Sequence, residues 1–316
     1  MNEQEFIRSN SLQNASPQKQ FLFLFILVFT GLSLASIVSL VFGSLVWGYS
    51  TEDLNTLAND PSLPGAIGFL RVSQILSSFG VFIIPSLFIR NYFKTSFYVS
   101  AKPSNMLLIN GSLFCMAVMI FQVPLVNTLA QWNAALNFPE ALSNVQAWME
   151  QREIQAERIT DLFLNMNSVP DYILTLFIMA VLPAIGEELL FRGSIQPLLG
   201  KIIKNEHAAV WVTAFLFSFI HFQFFGFIPR LLLGAFLGYL FFWSKSLVFP
   251  IAAHFANNAF AVSLSFAQQQ GLLPLNFEEP GASNSDWYLA LFSVVVLIPA
   301  CIYFKRTYAP KVDLAN

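Results

Sequence analysis

Long apolar runs broken by short polar clusters set the pattern of this chain, and they fall at 21–47, 69–89, 106–129, 172–190, 208–222, 227–243, 247–266 and 287–304. A helix needs about 20 residues to cross a hydrocarbon layer of about 30 Å. The pattern therefore predicts an all-α polytopic membrane protein with about eight transmembrane helices. The fifth run is short, so its helix is expected to begin near Asn205 or to continue past His221, and the fourth to reach Leu199. The stretch 132–171 follows a different rhythm: Ile159, Leu162, Phe163 and Met166 recur at helical spacing among Glu150, Arg152, Glu153, Glu157 and Arg158. That predicts an extramembrane amphipathic helix on the outer surface, either a solvated cap over the bundle or a lid. Residues 1–20 are polar and read as a disordered cytoplasmic tail, 21–305 as one transmembrane domain, and 306–316 as a second tail. There is no internal repeat.

Composition supports the membrane class. Hydrophobic residues make up 56% of the chain, charged residues only 11%, and 35 residues are Phe, far from the average of soluble domains. The net charge of −2 sums two faces of opposite sign and implies no nucleic-acid partner. Basic residues collect at Arg8, Lys19, Arg90, Lys94, Lys102, Arg192, Lys201, Lys204, Lys245, Lys305, Arg306 and Lys311, 12 of the 16 in the chain. Acidic residues collect in the connections expected outside, at Glu52, Asp53 and Asp60, from Glu140 through Asp171, and at Glu278, Glu279 and Asp286. Because cytoplasmic loops retain Lys and Arg, both termini are expected inside, with the chain in the plasma (inner) membrane. The first run is longer than a signal-peptide core and reads as an uncleaved helix. Cys115 and Cys301 lie inside expected spans as packing residues, without a disulfide framework.

Charge within a span is costly, so an intramembrane ionisable cluster is a functional-site candidate by default. Glu187-Glu188-Leu189-Leu190-Phe191-Arg192 ends the fourth run. On a helix Glu188 and Arg192 share a face and can pair, whereas Glu187 is rotated by about 100°. One acid is thus expected to be structural and the other chemical. Pro183 and Gly186 just upstream loosen the helix and free backbone carbonyls. The bland alternative is a buried ion-pair cluster that ties helices together.

Two further blocks complete the polar inventory. His221 closes the fifth run in Phe217-Ser218-Phe219-Ile220-His221; His254 and Asn258, four apart on one face, lie in the seventh. His207, beside Lys204 and Glu206, reads as a solvated interface residue. At about 1.5 Å per residue, Glu187 lies about 21 Å from Lys201, His221 about 25 Å from Lys204, His254 about 13 Å and Asn258 about 20 Å from Lys245. One layer can therefore hold all four groups. A carboxylate and an imidazole around a water make a general base and its partner. A second imidazole with a carboxamide supplies N–H donors to an oxyanion. These parts suffice for amide hydrolysis without a covalent intermediate.

The three blocks Glu187-Glu188-x-x-x-Arg192, Phe217-x-x-x-His221 and His254-x-x-x-Asn258 resemble the motifs of the CPBP family of intramembrane glutamic endopeptidases, which includes the Rce-type CAAX prenyl endopeptidases and the bacterial Abi proteins. The motifs cover about 165–265 and occur in the family's order. The resemblance implies that Glu187 and His221 activate water, that His254 and Asn258 form the oxyanion site, and that Glu188, Arg192 and Phe217 support it. It implies no cofactor, and as partners the bilayer and a membrane-associated, possibly lipidated, peptide substrate. Other readings stay open at this point. Two His and a Glu can ligate zinc, although no His-Glu-x-x-His helix is present. A scaffold or bacteriocin-immunity protein would use the cluster structurally. An ion or proton transporter could use buried Glu and His as a relay, although the sequence shows no paired broken helices in two similar halves.

Overall fold

The structure, a computed structural model, describes residues 15–57, 63–93, 104–136, 138–274, 280–281, 283 and 286–309. The expectations that rest on Arg8, Lys94, Lys102, Lys311, Asp60, Glu278 and Glu279 lie outside the described residues, as do 1–14 and 310–316. Regular structure among the described residues is helical: α1 (Pro17–Trp47), α2 (Thr51–Leu57), α3 (Ala66–Tyr92), α4 (Asn105–Phe121), α5 (Val123–Ala134), α6 (Ser143–Leu164), α7 (Val169–Ile203), α8 (Glu206–Phe219), α9 (Phe227–Ser244), α10 (Val248–Gln269) and α11 (Trp287–Tyr308).

The protein is an all-α, multi-pass membrane protein, and among the described residues five or six of the expected eight spans pass on length and apolarity alone. Helices α1, α3, α7, α9 and α11 are long and apolar enough to cross a membrane; α4 and α5 make a sixth if they act as one span bent by 44°. Pro124 in the first turn of α5 lacks the N–H that would continue α4, which accounts for the break. Helix α8 has only 14 residues, about 21 Å of rise against about 30 Å of hydrocarbon. Helix α10 has 22 residues, but His254, Asn257 and Asn258 dilute its apolar run. The two helices that fall short are the ones associated with the histidine motifs. A further difference is that α1 begins at Pro17, inside the expected disordered tail. Ser16 Oγ accepts from Lys19 N at 3.5 Å, and Pro17 sits where the missing N–H costs nothing.

The chain forms two compact units, Met1–Ser100 with Ile185–Thr213 and Ala101–Ala184 with Ala214–Asn316. In the first, α1 and α3 cross with backbones in contact: a Cβ on Gly31 would meet Gly80 O at 1.8 Å. Only glycine permits that approach. Trp47 and Tyr49 pack around Phe69, and Tyr49 donates to Pro64 O at 2.6 Å. The carboxyl-terminal part of α7, 191–203, packs on α1 and on the second half of α3.

In the second unit α10 runs along α4 and supplies the core. Cys115, Met119, Leu237, Leu240, Phe249, Ala253, Ala256, Phe304 and Tyr308 are buried together. Polar clasps join its helices. Tyr172 Oη and Ser263 Oγ lie 2.9 Å apart, and Gln269 holds the turn before α7 by donating to Leu164 O at 2.6 Å and accepting from Met166 N at 2.9 Å. Helix α6 occupies the expected amphipathic stretch, with an inward stripe of Met149, Glu153, Ala156, Thr160 and Phe163. Their four- and three-residue steps keep one face inward. Ile159, part of the stripe expected from the sequence, is instead exposed.

Candidate functional site

The expected constellation divides between the two units. In the first, Glu188 and Arg192 form the anticipated ion pair: Arg192 Nη1 donates to Glu188 Oε1 at 2.7 Å, and both side chains are fully buried. Glu187 is half-buried, so the adjacent acids occupy different surroundings, as their 100° offset on a helix requires. Two features of α7 shape this stretch. Residues 191–195 widen into a π-helical turn, a local distortion frequent at functional sites. Gly186 admits Phe82, whose Cβ would lie 3.0 Å from any Cβ placed there. The backbone beside Glu187 is thus fixed by close contact with α3.

In the second unit Phe217, only 2% exposed, contacts both imidazoles. Its ring centroid is 5.1 Å from that of His221 and 5.9 Å from that of His254, edge-on to both. His254 is buried at 3% exposure. His221 lies beyond the end of α8, not within it as the sequence suggested. Its Nδ1 is 2.7 Å from Phe217 O; because a carbonyl only accepts, Nδ1 carries the proton and Nε2 offers the lone pair in the neutral ring. The side chain thereby takes the carbonyl that the His221 backbone N–H would use in a continuing helix. That N–H turns to Ser218 O at 3.4 Å, Phe222 adopts a left-handed φ of 52°, and the helix stops.

Asn258 is placed by a proline. Pro183 has no N–H to give to Met179 O, four residues back, and Asn258 Nδ2 donates to that carbonyl at 3.1 Å. Asn257 Nδ2 donates in turn to Asn258 Oδ1 at 3.1 Å, which fixes the amide orientation and leaves its second N–H for another acceptor. Freed carbonyls near Pro183 were expected from the sequence; their use by Asn258 was not. Within each unit, no group of three or more His, Cys, Asp or Glu side chains among the described residues is placed to hold a metal ion.

Sequence reasoning missed the residues that hold the loop after His221. Asn133, at the end of α5 and 5% exposed, donates from Nδ2 to Phe224 O and accepts at Oδ1 from Ile228 N, both at 2.7 Å. Glu153 of α6 accepts from Phe225 N at 3.3 Å. Arg230 donates to Gln223 O at 3.1 Å and to Gln223 Oε1 at 3.0 Å. An isolated Asn near a helix end carries no sequence signal for such a role.

Burial raises the Glu153 carboxyl above its ordinary value, opposed by the Phe225 N–H and the Arg230 charge. A folded-state value above the unfolded one means stabilisation that is complete below the unfolded value and is lost as pH rises through the folded value. Hydrogen exchange at Phe225, corrected for its intrinsic rate, should show protection falling through that window. Glu153→Gln, which keeps the acceptor and removes the titration, should show a flat profile.

Fold and polar clusters together define a multi-pass membrane protein with buried acids, imidazoles and a carboxamide in or beside its helices. Residues 169–260 match the family model described as type II CAAX prenyl endopeptidase, Rce1-like, and this match supports the resemblance to that protease family. All seven residues singled out from the sequence fall inside the matched stretch. Comparison with curated proteins and with solved structures gives no match.

Proposed function

We propose that the protein is an intramembrane glutamic endopeptidase of the plasma membrane, hydrolysing a peptide bond of a membrane-associated, prenylated substrate. The observation that carries this reading is the family match over 169–260 with Glu187, His221, His254 and Asn258 all present within it. Glu187 takes a proton from water, and His221 Nε2 accepts a hydrogen bond from the same water and orients it. Hydroxide adds to the scissile carbonyl carbon, and the oxyanion receives N–H donors from His254 and from the second amide N–H of Asn258. Collapse breaks the C–N bond as the proton held by Glu187 passes to the leaving nitrogen. The products are a carboxylic acid and an amine, which exchange a proton to leave as carboxylate and ammonium, and the enzyme is regenerated. Glu188 and Arg192 hold α7 in register, and Phe217 spaces the imidazoles. No step requires a metal.

The test uses the full chain in lipid nanodiscs with a farnesylated peptide ending in a Cys-aliphatic-aliphatic-X sequence. Cleavage read by mass spectrometry, one ¹⁸O from labelled water in the new carboxylate and indifference to chelators are the expected results. Loss of activity on chelation would favour the zinc route. No cleavage of this or of a non-prenylated membrane peptide would overturn the reading and favour a scaffold or immunity role. Asn258→Ala is expected to lower kcat by about 10²–10³-fold, as loss of one oxyanion donor does.

A further inference from the structure

We infer that Asn133 is a positioning residue for His221, and that the amphipathic stretch beginning at the end of α5 is a strut for the catalytic imidazole instead of a passive cap. The inference rests on the role proposed for His221, but its observations are separate. His221 lies past the last residue of α8, so the helix alone does not fix it; the following residues, 222–228, must. Asn133 clamps that segment at two points, the carbonyl of Phe224 and the N–H of Ile228, and only one orientation of its amide satisfies both.

Further tethers come from α6 and α9. The Trp148 ring packs against Phe224 at 5.4 Å, with the Arg152 guanidinium over the same indole at 5.9 Å. Glu153 holds Phe225 N, and Arg230 grips Gln223 from both its backbone and its side-chain oxygen. Ser218 Oγ reaches across the turn to Phe227 O at 2.8 Å. A loop required only to connect α8 to α9 would leave these groups to water. A base partner, by contrast, must stay within about 2.6–3.2 Å of its water. Asn133, itself 5% exposed, holds from α5 both the loop at Phe224 O and the first turn of α9 at Ile228 N.

The experiment uses the full chain in nanodiscs, the farnesylated peptide, and ¹³C,¹⁵N-histidine labelling, since the chain has three histidines whose ring signals report separately. Asn133→Leu is expected to lower kcat by about 10²-fold, the scale of a misplacement near 1 Å, with KM unchanged. The His221 ring signals should shift or broaden while those of His254 and His207 hold, showing an intact fold. Asn133→Asp keeps the acceptor for Ile228 N and should retain part of the rate. Unchanged His221 signals in folded Asn133→Leu would overturn the inference, as would full kcat or a common change in all three histidines. If the wild-type chain leaves the peptide uncut, the proposed function fails, and the ring signals alone decide the role of Asn133.

Discussion

Glu187→Gln is expected to remove peptide hydrolysis, lowering kcat by about 10²–10⁴-fold while the chain still inserts and folds. Glutamine keeps the volume and the hydrogen-bonding oxygen but has no lone pair basic enough to take a proton from water. The argument depends on the division between adjacent acids. Glu188 is fully buried and bound to Arg192 at 2.7 Å, so its charge is already committed to a cation. Glu187 is half-buried and directed differently around the helix. If Glu187→Gln retains the wild-type rate on the farnesylated peptide, the general base has been misassigned. Its folding is checked by the unfolding midpoint of the same preparation.

Arg192→Met should have the largest effect on stability. It strips the cation from a carboxylate with no exposed surface, and breaking a buried pair by removing one partner costs about 3–5 kcal/mol. The double variant Glu188→Leu with Arg192→Met removes both charges and should recover most of that loss, since well-packed apolar replacements of buried pairs are often neutral or better. Unfolding in detergent, single against double variant, provides the measurement. A double variant as unstable as Arg192→Met alone would mean that the pair acts through contacts other than its own charge. The activity of the double variant then separates structure from chemistry: a folded but slow enzyme assigns the pair to organising the Glu187 backbone.

The hydrophobic rhythm made the helical class and the place of most helices legible. Two of the expected spans stand out less on length and apolarity for a physical reason: His254, Asn257 and Asn258 dilute the apolar run of α10, and α8 ends early because the His221 side chain takes the Phe217 carbonyl from its own backbone. The Glu188–Arg192 pair was readable because it is local, four residues apart on one helix. The clasp of Asn258 on Met179 O was half readable, since Pro183 announces an unfilled carbonyl but not its donor. Asn133, Gln223 and Arg230 were invisible, because the partners of Asn133 are backbone atoms brought near by tertiary packing, the grip of Arg230 on Gln223 forms across a non-helical turn, and no periodicity records either. In the 132–171 stretch the amphipathic helix was recognised, with Leu162, Phe163 and Met166 turned inward as expected and Ile159 alone of that stripe exposed. Glu153 and Thr160 face inward there, and a hydrophobic pattern skips polar residues that satisfy themselves against a loop.

The proposed function requires that Glu187, His221, His254 and Asn258 surround one water-filled hollow. Electron cryo-microscopy of the full chain in nanodiscs tests it most directly. The account predicts one ordered water within about 2.6–3.2 Å of both the Glu187 carboxylate and His221 Nε2, with His254 and Asn258 facing it. A Glu187 side chain directed into lipid, or separated from both imidazoles by more than the span of a single water, would contradict it.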